Sequence, residues 1–416
     1  MIILNGKIIT MEDDTIECGY IRISGGKIEE IGPMSSYENM KFKKEDCRAS
    51  SFEEKRQEMS CEFFKYKGIG QDEILNVNGA WVMPGLIEAH AHIGISEEKW
   101  GVIADDCNEG TNPVTPSLRA IDALNPMDPA FHEAIEAGIT SVMAGPGSAN
   151  VVGGQFLFLK TQGRCVDRMV VKHPAAMKVA FGENPKTAYG DQGKYPSTRM
   201  GIAALLRKTL FEAVQYKRKK DKGELVEEDF EMEAWIPVLN REIPLKTHAH
   251  RADDILTAIR IAKEFGVDMT IDHGTESHLV VDEIKESGFP VIVGPDLSSR
   301  SKLEIQNMNF KTNRVLQEAR VLFSITTDHP VTMIQHLPLC AGLAVKYGLP
   351  MEEGLKAITI NPARICRVED RVGSLKVGKD ADIAIFSGNP MEIFTKTLYT
   401  IIDGEIVYEY KPESCG

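Results

Sequence analysis

"GLIEAHAHIGI", residues 85–95, sets two histidines one residue apart in a run that otherwise reads as apolar. In a β-strand, residues i and i+2 point to one side with Cα atoms about 6.6 Å apart, so His90 and His92 can reach one ion. That spacing also recurs by chance, so its meaning depends on what the rest of the chain brings to the same place. From residue 84 onward, short apolar runs alternate with helical patterns, the rhythm of βα units on a parallel sheet. "DPAFHEAIEAG" precedes "ITSVMAG", and the alternation returns in "IPLKTHAH", "ADDILTAIRIAKEFG", "VDMTIDHG", "HLVVDEIKESG", "FPVIVGPD", "TNRVLQEARVL" and "FSITTDHP". With "GQFLFLK" at 154–160 and "AAMKVAFG" included, about eight strands fit between residues 84 and 330. That count predicts an α/β fold, a (β/α)8 TIM-like barrel over residues 84–366. No GxGxxG follows a strand, so an open dinucleotide-binding sheet lacks its phosphate loop.

The two chain ends read differently. "IILNGKIIT" carries an Asn-Gly hairpin signal, "GYIRISGGKIEEIG" a Gly-Gly one, and "TIIDGEIVYE" an Asp-Gly one. These patterns predict that the two chain ends, residues 1–83 plus 367–416, share one sheet system. Residues 34–71 are charged and poor in β-branched residues, and read as a helical or mobile insert that elaborates the surface of the β unit.

The totals limit the function. With 416 residues, 43% hydrophobic and 26% charged, the chain matches an ordinary soluble protein, and no apolar run approaches a membrane span. The start, "MIILNGKIITMEDD", lacks a basic region followed by a long apolar core, so no secretory signal is read and a cytoplasmic location is expected. Eight scattered cysteines without a CxxC pair read as reduced thiols. A formal charge of −13 argues against nucleic-acid binding, which needs clustered positive charge. The basic run "KRKKDK" at 217–222 is followed at once by "ELVEED" and reads as a solvated helix end. The expected partner is a small-molecule substrate, with a homo-oligomer as an allowed assembly.

A barrel of this kind places its chemistry at the C-terminal ends of the strands, the face open to ligands. His90 and His92 end the first run, His248 ends "IPLKT", His273 ends "VDMTID", and Asp328 ends "FSITT". Four of the ten histidines and an aspartate at four strand ends point to a metal site. Imidazole and carboxylate are the ligands of a catalytic divalent ion, most readily Zn2+, which leaves a position for water and lowers its pKa to about 7. Asp328 is placed to take the proton.

"PGLIEAHAH", "THAH", "IDHG" and "TTDHP", followed by "NPARI" and "VGSLKVGKDADIAIF", resemble the metal-dependent amidohydrolase superfamily, and within it the imidazolonepropionase-like amidohydrolases of unassigned substrate. The resemblance spans nearly the whole chain apart from the insert. It implies a (β/α)8 barrel with a β-sandwich, one or two divalent ions, and hydrolysis at carbon–nitrogen bonds. It assigns His90 and His92 to the first-strand pair, His248 to the fifth-strand ligand, His273 to the sixth, and Asp328 to the eighth-strand acid/base and ligand. Two-metal members use a bridging carboxylate on the fourth strand. Here Glu183 is the preferred candidate, and Lys178, as a carboxylated amine, is the alternative.

His250 shares the parity of His248 and His329 adjoins Asp328, so both are candidates to line the substrate pocket. Arg251, Arg300 and Lys186 follow strand ends, where they can grip a substrate carboxylate. His132, His173, His278 and His336 read as surface or packing residues. The implied activity is hydrolysis of a small amide or cyclic amide by metal-bound hydroxide, with Asp328 as proton shuttle. The alternative is a one-metal deaminase of a nucleobase-like heterocycle. Such enzymes of this superfamily place a glutamate two or three residues after the fifth-strand histidine, where this chain has His250 and Arg251. A non-catalytic barrel scaffold is the reading from a different class, and scaffolds of that kind lose ligands that this chain retains.

Overall fold

The computed structural model describes residues 1–12, 14–37, 64–67, 73–97 and 102–411. The chain divides into two compact units, one of Met1–Leu86, Ile135–Thr140 and Arg367–Gly416, the other of Ile87–Ala134 and Ser141–Cys366.

In the first unit, strands from both chain ends belong to one nine-stranded sheet. Ile2–Ile8 pairs antiparallel with Ile16–Ser24 on one side, and parallel with Glu73–Asn76 and Trp81–Pro84 on the other. Trp81–Pro84 then pairs with Ile383–Phe386, which continues to Thr397–Ile402 and Glu405–Glu409. Alternation along Ile2–Ile8 sends Ile3 into a cluster with Ile21, Val82 and Ile383, and sends Ile2 and Leu4 into a second cluster with Tyr20 and Ile74. The Gly25-Gly26 and Asp403-Gly404 pairs make the expected tight turns, with positive φ at all four residues. The Asn5-Gly6 pair does not. The strand runs straight through it as a bulge, with Asn5 at φ 58° and shifted register on either side. A Cβ on Gly6 would come within 2.5 Å of Val82, so the glycine serves close strand packing rather than a reversal. Most of the charged insert lies outside the described residues. Its segment Phe64–Lys67 is a strand paired with Glu73–Asn76, where a helical or mobile segment was expected.

The second sheet has eight strands in sequential order. They are β1 (Leu86–Ala91), β2 (Ile139–Ala144), β3 (Val152–Lys160), β4 (Val170–Ala180), β5 (Leu245–Ala249), β6 (Met269–His273), β7 (Val291–Val293) and β8 (Phe323–Ile325). From β4 to β8 all pairings are parallel. The βα rhythm fails at β3, which is antiparallel to both β2 and β4. The reason is connection length. No helix forms over 145–151, and only the single turn Val166–Met169 separates β3 from β4. A parallel crossover needs about a dozen residues or more, whereas an antiparallel neighbour is reached by a tight turn. Longer crossovers carry the expected helices, including Ala252–Phe265, closed by Gly266 in the left-handed conformation. The basic run at 217–222 lies at the C-terminal end of the helix Arg199–Asp221, where cations complement the helix dipole. Among the described residues no helix is long and apolar enough to cross a membrane.

The two ends of this sheet come together, making a nearly closed barrel. Glu88 on β1, fully buried, accepts hydrogen bonds from the Thr326 hydroxyl, from both the hydroxyl (2.7 Å) and the N–H (2.8 Å) of Thr327, and from His90 N–H (3.2 Å). His92 N–H donates to the His329 carbonyl at 2.8 Å. Burial pushes the Glu88 carboxyl up to about 7. Glu88→Ala strands several buried donors at once and is expected to lower stability by about 3 kcal/mol. Urea unfolding checks this, and an unchanged midpoint would show that the clamp contributes nothing.

Candidate metal centre

Six of the site residues sit where the strands end. His90 and His92 lie at the end of β1, Lys178 near the end of β4, His248 and His250 at the end of β5, and His273 ends β6. Asp328 follows β8. All are buried. Two groups of potential donors result, His90 with His92 and Asp328, and His248 with His250 and His273, each with ligand atoms within 4.8 Å of one another. The groups adjoin, since the His90 and His273 rings lie 5.0 Å apart and the His248 and His273 rings 4.4 Å.

Asp328 and Lys178 stand at the first group. Asp328 Oδ1 is 3.4 Å from His90 Nε2 and 3.3 Å from His92 Nε2, while its Oδ2 lies 3.9 Å from His273 Nδ1. Lys178 Nζ lies 3.4 Å from His90 Nε2 and 5.7 Å from the centre of the Phe156 ring. Burial drops the Lys178 ammonium to about 8 against the opposing pull of Asp272 and Asp328.

The imidazoles are oriented from behind. His90 Nδ1 donates to Asp272 (2.8 Å), His92 Nδ1 to the Gly145 carbonyl (2.7 Å), and His273 Nδ1 to the Gly294 carbonyl (2.9 Å). His250 Nδ1 is 2.7 Å from the Thr275 hydroxyl. Fixing the proton on Nδ1 leaves Nε2 as a free lone pair, the form that binds a metal. Burial, with Lys178 nearby, holds His90 and His248 well below the usual imidazole range, and burial with His248 nearby does the same for His250 and His273. Asp272 is itself held by Lys246 (3.3 Å) and the Thr270 hydroxyl (2.7 Å). Buried Asp328 Oδ1 and His248 Nδ1 make no hydrogen bond. Against its burial, Cys107 and Asp328 push His92 up to about 10, whereas the neutral imidazoles of His90, His248, His250 and His273, with the unsatisfied Asp328 oxygen, fit a divalent ion with open coordination positions.

Backbone strain accompanies this geometry. His273 has φ 73° and Asp328 φ 53°, a region that residues other than glycine rarely occupy. In a regular strand Asp272 and His273 would face opposite sides. The left-handed turn at His273 lets Asp272 reach His90 while His273 joins the second group.

The remaining residues named from the sequence fall elsewhere. Glu183 opens the helix Glu183–Gly190, partly exposed, its N–H donating to Glu304, and it joins neither donor group. Arg251 forms a two-pronged pair with Asp253 at 3.0 and 3.1 Å, Arg300 donates to the Met308 carbonyl, and Lys186 is exposed. His329 is fully buried and accepts a hydrogen bond from Ile334 N–H. Sequence reading missed Asp272, Lys246, Cys107, Asn184 and Glu304. Parity with His248 pointed to Lys246. Cys107, from the loop after β1, lies near His92. Asn184 Nδ2 lies 3.3 Å from His248 Nε2 and donates to Ser148.

A model of the amidohydrolase family matches residues 240–408. Amidohydrolase tasK of Hapsidospora irregularis is 27% identical over 366 residues, covering 81% of this chain but 37% of that protein, so the chain spans little more than a third of its length. An imidazolonepropionase of Herpetosiphon aurantiacus is 35% identical over 103 residues, 21% of this chain and 24% of that one. The crystal structure of an amidohydrolase from Thermotoga maritima MSB8 superposes with a TM-score of 0.87 at 38% identity, covering 98% of this chain and 100% of its own. With that likeness along its full length, and with histidines and an aspartate gathered at the barrel's strand ends, the chain belongs to the amidohydrolase family.

Proposed function

We propose that the protein is a metal-dependent hydrolase of a carbon–nitrogen bond other than a peptide bond, acting on a small amide or cyclic amide. The observation that carries this reading is the pair of adjoining, buried three-donor groups with Lys178 and Asp328 beside them. A divalent ion there, with Zn2+ best matched to the donors, supplies an activated water and polarises the scissile carbonyl. Asp328, within 3.4 Å of His90 and 3.3 Å of His92, accepts the proton of the attacking water and delivers it to the leaving nitrogen. Lys178, were it carboxylated on Nζ, would supply oxygens able to join the two groups, a role for which its distance to His90 favours it over Glu183. Asp272 keeps His90 in the required tautomer.

The deaminase reading gains one feature from the fold. Glu304 lies 3.7 Å from His248 Nε2, the neighbourhood where the local sequence provides no acid. Elemental analysis of the purified protein is expected to find two divalent ions per chain. The metal-loaded protein is expected to hydrolyse members of a panel of small amides and lactams, to lose that activity on chelation, and to release no ammonia from aminated heterocycles. A folded, ion-free protein would overturn the proposal, and ammonia release with a single ion would shift it to deamination.

A further inference from the structure

Glu304 lies on the short turn Leu303–Ile305 in the loop that follows β7, and its side chain is 2% exposed. Its two oxygens differ. Oε2 accepts the Glu183 N–H at 2.8 Å. Oε1 is buried, makes no hydrogen bond, and lies 3.7 Å from His248 Nε2 and 3.8 Å from His250 Nε2. A buried carboxylate oxygen without a hydrogen-bond donor is costly to keep. Asp254 Oδ2, close by, is also buried without a hydrogen bond, with Arg199 Nη1 3.8 Å from it. The backbone makes room for this carboxylate. Gly182 has φ +84°, and a Cβ there would stand 2.7 Å from Glu304 Oε2 and 3.3 Å from Asp254 Oδ2.

We infer that Glu304 is a protein ligand of the second ion, added to the group of His248, His250 and His273 on the side of His248 and His250. Imidazole nitrogen and carboxylate oxygen are the donors that a zinc-like ion takes. Ligands about 2.1 Å from a tetrahedral centre stand about 3.4 Å apart, so separations of 3.7 and 3.8 Å need only a small contraction on binding. His250, with Nδ1 engaged by Thr275, then serves as a ligand rather than as a substrate contact. The inference rests on the metal-dependent reading above, and adds to it a ligand from a loop that carries none of the strand-end motifs.

The test uses the as-purified protein, dialysed against graded concentrations of a chelator, with metal per chain measured by elemental analysis. Wild type is expected to hold two ions. Glu304→Gln keeps an acceptor for the Glu183 N–H but removes the charge. This variant is expected to release one ion at a chelator concentration about 100-fold lower while retaining the other. In cobalt-loaded protein, Glu304→Gln and the shorter Glu304→Asp are both expected to alter the visible absorption of one site only, and Glu304→Asp covers the case in which the glutamine variant does not fold. Release profiles and cobalt spectra matching wild type in the two variants would overturn the inference and leave the hydrolase reading standing. A wild-type protein that binds no ion overturns both.

Discussion

Asp328→Asn is expected to cut turnover about 10³-fold or more while leaving the bound metal in place. The side chain is held by the chain around it rather than by its own hydrogen bonds. Asp328 N–H donates to the Thr326 hydroxyl at 3.1 Å, and that hydroxyl is in turn bonded to Glu88. The left-handed backbone at φ 53° then sets its direction toward His90 and His92. Asparagine matches the shape and keeps an oxygen for coordination, but an amide cannot take up a proton in the accessible pH range. The variant therefore isolates proton transfer from metal binding. Steady-state hydrolysis measured beside metal content provides the check, and wild-type turnover by the metal-loaded variant would remove Asp328 from the mechanism.

Replacing Lys178 and Glu183 in parallel is expected to separate them sharply. Lys178→Met preserves volume in a fully buried position, so folding should survive, yet it removes the amine 3.4 Å from His90. Losing a group that joins the two donor sets should lower kcat by roughly 10³-fold. One ion should also be lost from the pair. Glu183→Gln, at a partly exposed helix start whose contact is made through the backbone N–H, should stay within about threefold of wild type. The reverse pattern, with Glu183→Gln inactive and Lys178→Met active, would reinstate the glutamate as the bridging group. Mass spectrometry under native conditions, seeking an added carboxyl on Lys178, gives a readout independent of activity.

Much of the site could be read from local rules. Strand-end position, together with the period of two, singled out His90, His92, His248, His273 and Asp328 before any contact was known. The same parity placed His250 beside His248, although its inclusion in a three-histidine group depends on β6 bringing His273 alongside. Glu304 could not be found this way. It belongs to an irregular loop, and its importance comes from a buried oxygen facing two imidazoles on another strand. Asp272 escaped for a different reason. Strict alternation sends it away from the side of His273, and the positive φ at His273 breaks that alternation.

The repeat of apolar runs and helical patterns, the hairpin glycines and the histidine pairs are local properties, and by themselves they pointed to the barrel, the shared sheet of the two chain ends and a strand-end metal site. Tertiary structure decided what depends on distance between segments remote in sequence. Short connections turned β3 antiparallel, and close packing against Val82 made Asn5-Gly6 a bulge. Closure of β1 against β8 brought Lys178, Asp328 and two sets of histidines into one buried volume. There each charge must find a partner, and the pattern of those left without one is what a sequence cannot express.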